Sequence, residues 1–84
     1  NDAIIYKEYE FISCSDNIKK HGIIDLMLEY HDYIDIIDYK FRNIDDDNYI
    51  NQLLGYKEFI MKKTKKDVNI YLYSIMENKL KNVG

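Results

Sequence analysis

The chain has 84 residues, a formal charge of −3, one cysteine and neither proline nor tryptophan. That length suits one domain near the lower limit of a self-sufficient core. A lone Cys14 excludes a disulfide-stapled secreted scaffold, and no apolar run approaches the roughly 20 residues of a membrane span.

No basic region precedes an apolar stretch at Asn1-Asp2-Ala3, so the chain reads as untargeted and cytoplasmic. Lacking an initial methionine, it also reads as an excised piece of a longer protein. Ile, Tyr, Lys, Asp and Asn dominate, a bias of the kind an AT-rich genome produces, which weakens tyrosine richness as a binding signal. Residues 1 to 50 carry twelve acids and five bases, and residues 51 to 84 three acids and seven bases. A net acidic chain with Arg42 as its one arginine argues against nucleic-acid binding.

Apolar residues recurring every three or four positions predict helices. Ile4, Ile5, Tyr9 and Ile12 place a short helix over about 3–11. Ser13 and Ser15 interrupt it, and Ser15 or Asp16 caps the next. Ile23, Met27, Tyr30, Ile34 and Ile37 then repeat at intervals of 4, 3, 4 and 3. Gly22 divides that region into two short helices. The stretch from Tyr33 to Tyr39 fits either strand or helix; with no pairing partner evident, it is expected to be helix or irregular connector.

Asp45-Asp46-Asp47 and the cluster Lys62, Lys63, Lys65 and Lys66 match the two poles of a helix over about 46–63, with Tyr49, Leu53, Tyr56 and Ile60 on its apolar stripe. Thr64 or Asp67 caps a last helix over about 68–80. The expected fold is therefore all-α: one domain over residues 1–84, a small array or bundle of four to five short helices with a C-terminal helical pair at 46–80.

His21, Asp25 and Glu29 would share one helix face and hold a divalent metal only if Gly22 left the helix unbroken, so a solvated face is expected and no metal site. Asp45-Asp46-Asp47 lacks the alternating spacing, central glycine and closing glutamate of a calcium loop. Cys14 with His21 or His31 lacks an orienting third group, and no glycine-rich phosphate loop or nucleophile elbow occurs. No enzymatic activity and no cofactor are expected. Tyr30, Tyr33 and Tyr39, interleaved with Asp32, Asp35 and Asp38, form an amphipathic candidate for protein recognition. The candidate partner-binding residues are Tyr30, Tyr33, Asp35, Tyr39, Lys62 and Lys63.

The segment from Asn17 to Tyr30, with Lys20-His21-Gly22-Ile23-Ile24-Asp25-Leu26-Met27-Leu28 at its centre, resembles the second half of an ankyrin repeat, and Asp32 to Asp38 resembles its closing loop; together they outline a degenerate repeat over 15–41. Tyr56 to Thr64 and Val68 to Tyr73 resemble the helical region that follows the repeats in poxvirus ankyrin proteins. The resemblance implies a host-range or immune-evasion adaptor that binds a host protein in the host cytosol. The Leu-Pro opening of that family's F-box-like segment is absent here. The alternative expectation is a self-associating helical bundle, a homodimer acting as inhibitor or regulator, with neither membrane nor nucleic acid as partner.

Overall fold

A two-residue turn decides the first third of the chain. In the computed structural model, which describes residues 2–41 and 46–84, Asp16 (φ 50°) and Asn17 (φ 65°) are both left-handed. Two consecutive positive φ values make the turn whose twist suits a tight hairpin, and Asp and Asn tolerate that region best after glycine. It joins strand β1 (Ile4–Ser15) to β2 (Ile18–Glu29), paired antiparallel from Ser15 opposite Ile18 to Ile4 opposite Glu29. The many Ile, Tyr and Phe residues favour this extended backbone.

Strand β3 (Tyr33–Lys40) pairs antiparallel with β2 over a short stretch, Leu26–Glu29 against Ile34–Ile37. Helix α1 (Asp47–Thr64) crosses over to β4 (Asp67–Ser74), which runs parallel to β3, and β5 (Lys79–Asn82) closes the far edge antiparallel to β4. The sheet order is β1-β2-β3-β4-β5.

The ends of α1 are satisfied chemically. Asp46 accepts from the Asn48 N–H at 2.8 Å, Asp47 sits in the positive first turn, and Lys62 and Lys63 occupy the negative last turn. Lys65, left-handed at φ 62°, ends the helix with its N–H on the Met61 carbonyl. The core lies between α1 and one face of the sheet. Leu53 and Ile60 of the helix are buried with Ile24 and Met27 of β2, Ile34 and Ile36 of β3, and Val68, Ile70 and Leu72 of β4. On β3 and β4 these residues alternate strictly, as a sheet with one covered face requires. The opposite face carries Ile5, Leu26, Leu28, Tyr33, Ile37 and Tyr39. No element covers it among the described residues.

The all-α expectation is overturned. Among the described residues only the helix expected at 46–63 forms; the stretch 3–11 and the pair flanking Gly22 are strand, and 68–80 is strand, turn and the start of another strand, so the described residues hold neither a bundle nor a helical pair over 46–80. The segment resembling the second half of an ankyrin repeat is mostly β2, and Val68 to Tyr73 lies in β4. The misleading three-and-four spacing has two causes. Both sheet faces are rich in apolar residues, and the alternation slips by one residue in mid-hairpin. Glu8 (φ 53°) and Asp25 do not pair, although Lys7 opposite Leu26 and Tyr9 opposite Ile24 do. Tyr6 and Tyr9 both pack on the core as a result, and the buried positions of β2 run Gly22, Ile24, Met27.

Two contacts lock the hairpin onto the rest. At one end Tyr6 donates to Glu29 Oε1 at 3.0 Å, while the Lys66 ammonium donates to Glu29 Oε2 and to the Tyr30 carbonyl, both at 2.8 Å. At the other, the Phe11 ring stacks on Phe59 at 4.3 Å and meets Tyr56 edge-on at 5.5 Å, lying across the backbone of Gly22. A Cβ at residue 22 would sit 2.6 Å from Phe11 Cζ and 3.0 Å from Tyr56.

Gly22→Ala is therefore expected to lower stability by about 1–3 kcal/mol, because the wedged aromatic trio must shift; urea unfolding of the variant measures this. The Lys66 hydrogen bond, with help from Tyr6, holds the Glu29 carboxyl below its ordinary 4.5. A carboxyl lowered on folding stabilises above its unfolded pKa and loses that contribution as pH falls through the folded one. Lys66→Ala should cost about 1 kcal/mol at pH 7, with the gap to wild type closing below about pH 4 in parallel urea melts.

Candidate functional site

Strands β2 and β3 each deliver a carboxylate at the point where they part. Continuing their register one step past Leu26 and Ile37 would set Asp25 directly opposite Asp38. Like charges facing each other across a ladder are destabilising, and the ladder stops there. Asp25 instead reaches sideways to β3, its Oδ2 accepting from the Tyr39 N–H at 2.9 Å. The slip in alternation falls at this residue, and Glu8, the non-glycine residue with positive φ inside β1, lies across from it. Backbone strain of this kind collects at functional sites.

Asp38 follows Ile34 and Ile36 on the covered face of β3, so its carboxylate is carried beneath α1 and is only 4% exposed. Lys40, two residues on, shares that face. Its ammonium lies 3.0 Å from Asp38 Oδ2 and 4.4 Å from the centre of the Tyr49 ring. Apart from that ammonium, Oδ2 of Asp38 is a buried oxygen with no hydrogen-bond donor. Burial foremost, then the hydrogen bond and charge of Asp25, push the Asp38 carboxyl up to about 6, against the pull of Lys40. Helix α1 adds Gln52 and Tyr56 from one side. Burial, then the negative charge of Asp38, raises the Tyr56 hydroxyl, which the backbone of Ile23 holds by a hydrogen bond.

These groups converge on an open polar pocket of about 470 Å³, walled by His21 to Ile23 of β2, Tyr39 and Lys40 of β3, and Gln52 and Tyr56 of α1, with Asp25 and Asp38 between them. The pocket sits at the carboxyl end of β3 beside the first half of the crossover helix, the place where parallel β-α-β units bind ligands. Two carboxylates lining one pocket offer an oxygen donor pair to a hard cation. Magnesium is commonly held by one or two carboxylates, keeping its remaining positions for water and substrate phosphate. No cluster of three or more His, Cys, Asp or Glu side chains occurs among the described residues.

The residues singled out from sequence are distributed differently. Tyr30 and Tyr33 stack at 4.5 Å beside the β2–β3 connection, and Tyr33, Asp35 and Tyr39 share the uncovered face of β3. Asp35 accepts from Asn69 at 3.0 Å and Tyr39 lies edge-on to Tyr73. Lys62 and Lys63 stand apart from this row, in the last turn of α1, where Lys63 donates to the Tyr9 hydroxyl. His21, Asp25 and Glu29 lie along a strand and do not converge: His21 pairs with Glu10 at 2.8 Å, Glu29 with Lys66, and Asp25 enters the pocket. Cys14 is exposed near the hairpin turn, and His31, also exposed, approaches Asp32 at 3.8 Å. Asp46 caps α1 as expected of the acidic triplet, whereas Asp45 lies outside the described residues.

Sequence reasoning passed over Lys40 and Gln52 and treated Asp38 only as spacing between tyrosines. The available signal was Ile23-Ile24-Asp25 and Ile36-Ile37-Asp38, two apolar runs each ending in a carboxylate, the second followed by Lys40. No known family model matches the chain, and no curated protein is significantly similar to it. Among the described residues no helix is long and apolar enough to cross a membrane.

A carboxyl raised on folding stabilises fully below its unfolded pKa, here 3.8, and that contribution is lost as pH rises through the folded value near 6. Asp38→Asn is accordingly expected to raise stability by about 1–2 kcal/mol above pH 7, the gain fading near pH 4; thermal melts across that range check it.

Proposed function

We propose that the chain carries a divalent-cation-dependent phosphodiester-hydrolysing site of the nuclease type, with Asp25 and Asp38 as cation ligands and Lys40 as the phosphate-side cation. The observation that carries this reading is the buried Asp38 carboxylate beside the carboxylate of Asp25, its Oδ2 facing the Lys40 ammonium at 3.0 Å and, among the described residues, no other donor.

Three alternatives for two carboxylates can be compared. Glycoside hydrolysis uses two carboxyls that flank a sugar and gives no role to a lysine ammonium 3.0 Å from one of them. A protonated carboxyl dyad needs no lysine. Cation binding accounts for all three groups: a divalent ion offsets the repulsion of the pair and turns the site's charge from −1 to +1. An anionic phosphate is repelled by the first state and attracted by the second.

A bound magnesium ion would supply a polarised phosphoryl oxygen and an acidified water. Water adds to phosphorus, the ester P–O bond breaks, and the departing oxygen takes a proton. Lys40 is placed to stabilise charge on the phosphoryl oxygens, the role lysine and magnesium share at such centres. Its position over Tyr49 and against Asp38 holds the ammonium where a flexible side chain would otherwise wander. Gln52 and Tyr56 present hydrogen-bonding groups to the same space, suited to a nucleotide's sugar or base. The reading departs from the non-enzymatic expectation and from the one that excluded nucleic acid. Net charge was the basis of that exclusion, and net charge does not describe a site that recruits its own cation.

Protein binding stands as a second reading, favoured by the uncovered sheet face where Tyr33, Asp35 and Tyr39 lie in a row between exposed apolar residues. A cytoplasmic setting accords with both, since the exposed thiol of Cys14 persists in reducing surroundings.

Calorimetric titration with Mg²⁺ and Mn²⁺, and cleavage of labelled DNA and RNA, test the proposal. Binding and cleavage are expected for wild type. Asp25→Asn and Asp38→Asn should lose both, and Lys40→Ala should keep the cation while cleaving at least about 100-fold more slowly. Absence of cation binding, or cleavage indifferent to chelator, overturns it.

A further inference from the structure

The β1–β2 hairpin is much longer than the stretch of β2 that pairs with β3. Residues Ile18 to Ile24 pair with β1 on one edge and with no strand on the other among the described residues. Past the Phe11 contact with α1, four cross-strand pairs from Ile12 opposite His21 to Ser15 opposite Ile18 project as an arm, roughly 13 Å long. All of Ile18 to His21 is exposed. One edge of this arm is continuous with the pocket wall, because His21 belongs to both and Gly22 and Ile23 follow it in the wall.

The arm's charge differs from the chain's. Its β2 side carries Lys19, Lys20 and His21 in succession, and successive strand residues point to opposite faces, so the two lysines straddle the free edge. Neither lysine forms an ion pair among the described residues, whereas Lys40, Lys63 and Lys66 are all engaged. Between Phe11 and Ser15 the partner strand holds no acid; Glu10 is committed to His21 at 2.8 Å, which leaves Asp16 at the turn as the arm's other acid.

We infer that this arm is the track for the substrate's backbone: a nucleic-acid strand lies along the free edge of β2, with Lys19 and Lys20 on phosphates several nucleotides from the one at Asp25 and Asp38, and His21 at the mouth of the pocket. The inference rests on the hydrolytic reading for its polarity. Small phosphate esters would use the pocket without the arm.

Fluorescence anisotropy with a labelled single-stranded oligonucleotide, Ca²⁺ replacing Mg²⁺, tests the track apart from the chemistry. Each phosphate contact is worth about threefold in affinity at moderate salt and about 0.7 in the slope of log affinity against log salt. Lys19→Ala/Lys20→Ala should therefore bind about tenfold more weakly with a slope about 1.4 shallower. Lys19→Glu/Lys20→Glu should weaken binding further, and Lys62→Ala, at the far end of α1, should match wild type. In Mg²⁺ the double alanine variant should hydrolyse bis(4-nitrophenyl) phosphate at the wild-type rate while its KM for the oligonucleotide rises. Unchanged affinity and slope in both double variants overturn the track even if the pocket hydrolyses the small ester. Lysine-dependent binding without hydrolysis of either substrate upholds the track and removes the hydrolytic reading.

Discussion

Burial of one helix stripe against one sheet face is the constraint on which everything else depends. Leu53 and Ile60 of α1 close over alternating residues of β3 and β4, and no other element covers that face among the described residues. At about 1.5–3 kcal/mol for each fully buried aliphatic side chain, these few residues supply most of what holds so small a sheet together. The crossover that carries α1 from β3 to β4 makes those strands parallel. It also fixes the first half of the helix at the carboxyl end of β3, and with it Tyr49, Gln52 and Tyr56 beside Lys40 and Asp38.

The carboxylate pair sits against this constraint. Alternation along β3 puts Asp38 on the covered face in the same series as Ile34 and Ile36, a place where a charge is costly unless partnered. Lys40, on the same face two residues later, offsets part of that cost, and Asp25 adds to it. A fold selected for stability alone would place an asparagine or an aliphatic residue there. The raised carboxyl of Asp38, the strained backbone of Glu8 and the interrupted β2–β3 ladder all mark the same point in the sheet. Several local rules are thus broken together at one place in the fold.

The hairpin links the two parts. Phe11 lies flat over Gly22 and against Phe59 and Tyr56, so the wall that shapes the pocket is held by the same ring that fastens the projecting arm to the helix. At the opposite end, Glu29 draws in Tyr6 and Lys66. Beyond the Phe11 fastening, from Ile18 to His21, the edge of β2 is left free among the described residues and runs to the pocket.

What the sequence alone determined is whatever depends on near neighbours. The helix at Asp47–Thr64 was legible from its acidic start, lysine-rich end and regular apolar stripe, all local signals. The strands were not, because a strand's hydrogen bonds and buried face are supplied by residues far along the chain. Tyr33 to Tyr39 could be read as extended, yet its partners, Leu26 to Glu29 and Asp67 to Ser74, looked helical themselves. The slip at Glu8 and Asp25 spaced Ile24 and Met27 three apart, imitating a helix where two strands cross-pair. The candidate site was hidden for the same reason. Asp25, Asp38, Lys40 and Gln52 carry ordinary side chains at unremarkable spacing, and only tertiary structure, by ending one ladder and laying α1 across another, brings the two carboxylates and the ammonium to one pocket.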